Sequence, residues 1–403
     1  MSTPQAPFAA PPPPAGASQL NFLNVLQRML SVSDKVSDLI FSPGRPPQVE
    51  LLGELQPVEV PGLEKLLPSH TAALAKIIIG THLTAGDNLQ KFGSADLSFS
   101  APGFARFRVN IFMQRGTHAI VMRVIPNRPP QWSDYNLPGV LKEICGLKNG
   151  VVLVTGPTGS GKSTTLAAVI DLINETRAYH IVTIEDPIEF LHPHKLSTIH
   201  QRELHSDTPS FALALRAALR QAPKVILVGE MRDRETIEVA LEAAETGHLV
   251  LSTLHTIDAA KTVDRIIGVF PKNEEQSIRT RLSQSFRFIV SQRLIPRADR
   301  QGRIAAIEIL KSTARTREYM EYGEREGKSL VDAMEQGELD GMQTFDGVLE
   351  RYVREGMVKK EDAMSYATNP GNFLLRLSDM GSAGASAMPP PSGGAGSMLD
   401  MIE

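Results

Sequence analysis

Apolar residues follow two different patterns along the chain, and the difference divides it in two. In the first part, Leu20, Leu23, Leu26 and Leu30 fall at helical spacing and predict an opening helix. Short alternating stretches follow around Val49–Leu52 and Val58–Val60, and a second helical pattern covers 62–80. Residues 96–100, 105–113 and 118–125 alternate apolar and polar side chains, as antiparallel strands with one wet face do. The expectation is a small α+β domain over residues 20–126, and Pro129, Pro130 and Pro138 mark a linker over 127–138. In the second part, apolar runs at 151–155, 180–185, 224–229 and 248–254 alternate with helical stretches at 162–174, 210–220, 233–245, 258–268 and 274–290. Such alternation predicts an α/β domain with a mainly parallel sheet covered on both faces. Residues 302–310 read as one more strand and 328–368 as small helices, so this domain is expected over 139–377.

The two ends differ from both patterns. Residues 1–19 are Pro- and Ala-rich, and 378–403 are rich in Gly, Ala, Ser and Pro. Ordering costs about 1–2 kcal/mol of backbone entropy per residue, and neither end has the bulky apolar groups to offset it. Both are expected to be disordered tails, with the last residues, MLDMIE, a frayed end.

Charge and composition narrow the function. The 403 residues carry 42 Lys and Arg against 45 Asp and Glu, a net charge of −3, which does not point to nucleic acid as a partner. The single cysteine, Cys145, excludes a disulfide framework or a tetracysteine zinc element within the chain and suits a reducing cytoplasm. The first residues have neither the basic nor the apolar region of a signal peptide, and no apolar run reaches the length of a transmembrane segment.

The chemistry centres on residues 151–166, VVLVTGPTGSGKSTTL. An apolar β-branched strand leads into Gly156, Pro157, Thr158, Gly159, Ser160 and Gly161, then Lys162, Ser163 and Thr164 open a helix. This is G-x-x-x-x-G-K-[ST] in its strand–loop–helix setting. The loop amides and the helix N-terminus suit the phosphates of ATP, Lys162 suits the β/γ-phosphates, and the Ser163 hydroxyl suits Mg²⁺. A second apolar strand ends in Glu230, in KVILVGEMRD, which places an acid at the ligand-binding edge of the sheet. TIEDPIEF puts Glu185, Asp186 and Glu189 at another strand end, where carboxylates can polarise water. His248 and His255 flank strand 248–254; their chemistry fits a γ-phosphate sensor and a structural histidine equally well. His192, His194, His200 and His205 lack an accompanying set of metal ligands. Arg106, Arg108, Arg115 and Arg123 stand out in the first domain, where a solvated sheet face is the simplest reading.

The blocks GPTGSGKSTT, TIEDPIEF, VGEMRD and AETGHLVLSTLHT, in this order, resemble the type II/IV secretion ATPase superfamily. Within it the chain is similar to the type IV pilus retraction ATPases, the PilT and PilU type, over about residues 20–375, including SDLIFSPGRPP from Ser37 to Pro47. The resemblance implies a RecA-like ATPase domain, a PAS-like N-terminal domain and a homohexameric ring. It gives Lys162 and Ser163 the Walker A roles, Glu230 the Walker B role, Glu189 the general-base role, and His248 and His255 the histidine box. It makes Arg108 and Arg123 phosphate-reaching arginines, with Arg106 and Arg115 as weaker candidates. It further implies ATP hydrolysis with Mg²⁺ and pilus retraction on the cytoplasmic side of the inner membrane. The implied partners are a membrane platform protein and a second retraction ATPase. Residues 1–19 leave no room for the extra N-terminal domain of assembly motors, which favours retraction. Ala314–Glu321 reads ARTREYME, a departure from the PilT-type C-terminal element, while GMQTFD (341–346) and RQAPKVILVGE (220–230) are closer to the PilU branch. An accessory or assembly ATPase, a scaffolding ring and a RecA-like nucleic-acid motor are the alternatives.

Overall fold

A computed structural model describes residues 21–80, 82–126 and 128–383, so most of both tails lies outside the described residues. The chain divides into two compact units: residues up to Arg128 with Glu189–Leu191, and Pro129–Ile188 with the residues from His192 onward.

The first unit opens with α1 (Phe22–Leu30), capped by the Asn21 side chain. Phe22, Val25, Leu26 and Met29 are buried at i, i+3, i+4 and i+7, so the helix is where it was expected but its buried face is turned from the expected leucine stripe: Leu26 is shared, Leu23 is exposed, and Leu20 lies outside the described residues. Then come β1 (Val36–Phe41), β2 (Gln48–Leu51), β3 (Glu54–Pro57), α2 (Pro68–Ile79), α3 (Leu83–Phe92), β4 (Ser94–Ala101), β5 (Ala105–Gln114) and β6 (Thr117–Ile125). The strands form an antiparallel sheet in the order β3-β2-β1-β6-β5-β4. Phe41, Phe107, Val109, Ile111, Ile120 and Met122 bury the helix-covered face. The helix expected from residue 62 starts only at Pro68, because proline suits a first helical turn and Leu63 and Leu66 are already buried in the preceding loop.

The second unit contains β7 (Gly150–Thr155), α4 (Lys162–Thr176), β8 (His180–Glu185), β9 (Thr198–Glu203), α5 (Phe211–Ala218), β10 (Val225–Val228), α6 (Arg234–Glu245), β11 (Leu249–Leu254), α7 (Ala259–Ile267), α8 (Glu275–Ser285), β12 (Phe286–Pro296) and β13 (Arg303–Lys311). Five helices follow: α9 (Ala314–Tyr322), α10 (Leu330–Glu335), α11 (Phe345–Arg354), α12 (Lys360–Tyr366) and α13 (Pro370–Ala383). The sheet order is β13-β12-β7-β11-β10-β8-β9, parallel throughout except for the β12–β13 hairpin. Every residue of β7, β10 and β11 is buried, which explains why these strands are mostly apolar and do not alternate. Ser210, Asp233 and Asp258 cap α5, α6 and α7 through their side chains, so those helices start where the polar residues place them.

Two differences from the sequence pattern affect the site. The helix expected over 274–290 stops at Ser285, and Phe286 begins β12, which pairs with β7. A strand buried on both faces has no alternation, so its apolar run cannot be told from a buried helix by period alone. β9, which reads TIHQRE, is a polar edge strand that carries no apolar run. At the other end, α13 runs to Ala383, past the start of the expected tail at 378.

Candidate active site

The loop 156–161 joins β7 to α4 at the C-terminal edge of the parallel sheet. Gly156 has φ +144°, and a Cβ there would lie 2.4 Å from the Gln292 carbonyl oxygen and 2.5 Å from Ser160 Oγ, so only glycine fits. Gly159 and Gly161 have open space around them; their φ values of +77° and +91° are what demand glycine. Gly161 offers α4 no capping side chain, which leaves the amides of the first turn facing the loop. Ser160 Oγ is buried without a partner, and Lys162, 8% exposed, donates from Nζ to Gly156 O (2.9 Å) and Pro157 O (3.1 Å). These groups make a cradle for an oxyanion with a cation at its mouth.

The strand order brings the acids alongside. β11 lies next to β7, and β10 next to β11, so the residues after these strands share one edge. Glu230 Oε2 lies 3.3 Å from His255 Nε2, and His255 Nδ1 lies 3.5 Å from Thr158 Oγ1. On the other side, Arg232 Nε donates to Glu230 Oε1 at 2.6 Å. Glu230, by that hydrogen bond and its charge, holds the Arg232 guanidinium above its ordinary range, with Asp186 contributing. A contiguous run, Thr158–His255–Glu230–Arg232, therefore links the phosphate loop to the acid. Within the run AETGHLVLSTLHT, sequence reasoning singled out both histidines, and Arg232 was missed although it lies in the quoted block VGEMRD.

The acidic loop after β8 is tied down by β9. Glu185 Oε1 accepts from Thr183 Oγ1 (2.7 Å) and Gln201 Nε2 (3.1 Å), and Glu203 Oε2 accepts from Ile188 N at 3.0 Å. The Asp186–Pro187 peptide is cis, and Asp186 and Glu189 are exposed. Ser163 is the second residue of α4 and partly exposed. Its hydroxyl and the Glu230 carboxylate are hard oxygen donors of the kind Mg²⁺ takes.

His248 does not join this group. It precedes β11, whose register pairs Leu249 with Gly150 at the far end of the sheet, whereas Leu254, next to His255, pairs with Thr155. His248 Nδ1 lies 2.9 Å from Ala243 O and 3.3 Å from Thr246 Oγ1, closing the C-terminal turn of α6. In the first unit, Arg108 and Arg123 are register partners on β5 and β6. Arg123 Nε pairs with the buried Asp38 at 3.0 Å, and Arg108 is exposed. Arg106 donates to Ser100 Oγ (3.1 Å), while Arg115 sits in the β5–β6 turn at φ +48°, away from the other three.

A cavity of about 510 Å³ opens beside the phosphate loop, bounded by Pro157, Ser160, Ile257, Arg293, Leu294 and Tyr366. The Arg293 guanidinium lies 3.8 Å over the Phe345 ring and donates to Tyr366 O (2.5 Å) and Ile257 O (3.3 Å). Burial pushes its pKa below the ordinary arginine value. Sequence reasoning missed this wall because the start of β12 was read as the end of a helix at 290 and residues 291–296 were given no element; the signal was the polar triplet Ser291, Gln292, Arg293 inside an apolar run.

A parallel sheet with a lysine-bearing phosphate loop and an acid two strands away defines a P-loop ATPase of the RecA-like kind. The type II/IV secretion system protein family matches residues 98–343. The type IV pilus retraction ATPase PilT of Pseudomonas aeruginosa is 44% identical over 345 residues, covering 85% of this chain and 97% of the relative. The type IV pilus ATPase PilU of the same organism is 37% identical, covering 86% of this chain and 89% of the relative. Over the matched residues, then, identity is higher to that PilT than to that PilU, although two stretches resemble the PilU branch. A crystal structure of the pilus retraction motor PilT with bound ADP superposes with a TM-score of 0.76 at 41% identity, covering 88% of this chain and 99% of that one. The chain belongs to the type II/IV secretion ATPase family, in the branch of the pilus retraction ATPases, and is an ATPase.

Proposed function

We propose that this protein couples ATP hydrolysis to type IV pilus retraction, as one subunit of a homohexameric ring. The observation that carries the chemistry is the Thr158–His255–Glu230 run, which ties a phosphate loop to an acid through an imidazole. In this reading the loop amides and Lys162 hold the β/γ-phosphates, and Lys162 exchanges its two loop carbonyls for phosphate oxygens. Mg²⁺, held by Ser163 and Glu230 directly or through water, would supply positive charge to the same oxygens. Glu230 then leaves Arg232, and His255 reports the γ-phosphate through its contacts to Thr158 and Glu230. Glu189 takes the proton of the attacking water. Arg108 and Arg123 are the cationic groups that ring assembly supplies to the phosphates. The cavity walled by Arg293 and Tyr366 suits the base and ribose, since it is continuous with the loop and mixes apolar and polar walls.

No helix among the described residues is long and apolar enough to cross a membrane. In this reading, which follows the likeness to pilus retraction motors, the ring works from the cytoplasmic face of the inner membrane by docking on a pilus platform protein, with a second retraction ATPase as a further partner. Nucleic acid is not a partner in this reading, given the near-neutral charge. Deleting the gene and scoring surface pili and twitching tests the reading. Many pili without movement support it, and restoration by the wild-type gene but not by Lys162→Ala ties it to ATP. Loss of pili would indicate an assembly motor, and unchanged pili and movement an accessory ring.

A further inference from the structure

Glu308 has no part in the chemistry above, yet it is buried at the same edge. It lies in β13 and is 3% exposed. Its Oε1 accepts from the backbone of Ala259 at 2.8 Å, the first residue of α7 and four residues past His255. The backbone N–H of Phe345, the first residue of α11, also bonds to this carboxyl. Two helix N-termini thus converge on one side chain, an arrangement that favours negative charge there.

A second set of contacts starts from the strand partner of Glu308. Ser291 pairs with Glu308 across β12 and β13, and its hydroxyl accepts from Thr155 Oγ1 at 3.0 Å. Thr262 Oγ1 lies 3.5 Å from Thr155 Oγ1 and 2.6 Å from Thr256 Oγ1. Thr155 is the last residue of the strand that enters the phosphate loop, and Thr256 adjoins His255. The segment 255–258 is therefore held on one side by these hydroxyls and on the other by the Glu308 carboxyl.

We propose that Glu308 is a positioning residue for ATP hydrolysis: together with the Ser291, Thr155 and Thr262 hydroxyls it fixes segment 255–258, and so the placement of His255 against Glu230 and Thr158. This rests on the reading of His255 as the group that responds to the γ-phosphate. The charged groups facing the carboxyl are Asp258 from α7 and Arg293 from β12, with Asp346 of α11 acting on Arg293. Burial is the dominant influence and Asp258 adds to it; the Ala259 and Phe345 amides and Arg293 oppose them, which leaves the pKa raised to about 7. Ionised, Glu308 accepts from both helix amides. Protonated, one oxygen becomes a donor, and the local hold on α7 weakens as pH falls through neutrality, even as relief of the burial penalty on the charge favours the fold as a whole.

The test uses the full chain as wild type, Glu308→Gln and Thr262→Val. Steady-state ATP hydrolysis is followed from pH 6 to 8.5, and amide hydrogen exchange over residues 255–262 is measured without nucleotide. Expected for Glu308→Gln is a kcat about tenfold lower at pH 8 with KM for ATP within about threefold, the signature of a displaced group rather than lost binding. Its pH profile loses the limb near pH 7 that the wild type shows, and exchange over 255–262 speeds up. Thr262→Val also speeds exchange, and it decides the matter if Glu308→Gln does not fold. A Glu308→Gln profile lowered equally at every pH with its limb intact, or unchanged exchange in both variants, overturns the proposal. A wild type that does not hydrolyse ATP overturns the functional reading instead, and the exchange data still decide the role of Glu308.

Discussion

His248 and His255 stand at the two ends of strand β11, roughly 20 Å apart at the usual rise of a strand. At the C-terminal end, β7, β11, β10 and β8 stop side by side and give way to the phosphate loop, His255, Glu230 and the acidic loop. Side chains there contact one another: His255 with Glu230 and Thr158, Glu230 with Arg232, Glu185 with Gln201. At the N-terminal end, side chains close off backbone. His248 Nδ1 meets Ala243 O, and His180 Nδ1 meets Gln221 O while its Nε2 lies 2.9 Å from His200 Nδ1. The same residue type thus joins the phosphate loop to an acid at one edge and closes a helix at the other. Parallel strands make this separation general, because loops that bind ligands leave from their C-terminal ends.

Substitutions at the two edges should therefore differ in kind. The largest effect is expected from Glu189→Gln, which keeps size and removes the carboxylate proposed as the base: turnover measured at saturating ATP falls about 10²–10⁴-fold while nucleotide binding persists. Lys162→Ala removes a cation aimed at the phosphates and lowers turnover by about 10²–10³-fold, and here titration calorimetry should also show weakened ATP binding. An intermediate effect concerns stability. The Glu308 pKa is raised from 4.5 to about 7, so between those values the folded chain holds a proton that the unfolded chain has released. Folding stability contributed by this group is therefore fully retained below pH 4.5 and declines as pH rises to 7. Glu308→Gln lacks that decline, and its melting temperature relative to wild type should rise between pH 5 and pH 8. The smallest effect belongs to the far edge: His248→Ala loses one hydrogen bond to the last turn of α6 and costs about 1 kcal/mol by chemical denaturation.

The same contrast explains what the sequence could disclose. The phosphate loop was legible because its glycines, Lys162 and Ser163 follow one another and need only local backbone geometry. Glu230 was legible because it directly follows an apolar strand, and α5, α6 and α7 were legible because Ser210, Asp233 and Asp258 cap them locally. What was not legible depends on residues far apart in the chain. Whether His248 or His255 meets the loop is decided by the β11–β7 register, not by their seven-residue spacing. Arg293, in its polar triplet, and Glu308, alone among apolar neighbours, have no evident purpose in the sequence until α7, α11 and α12 pack over them. The first five residues of β12 read as the end of a helix because a strand with neighbours on both sides and cover on both faces has no polar alternation. β9 gave no pattern, yet its Gln201 and Glu203 hold the acidic loop.

The most direct test of chemistry confined to the C-terminal edge is to measure ATP turnover of His255→Ala and His248→Ala side by side, at a temperature where both are folded. The account predicts a loss of about tenfold or more for His255→Ala with ADP binding retained, and turnover within about twofold of wild type for His248→Ala. Equal impairment of the two variants, or a loss confined to His248→Ala, would contradict it.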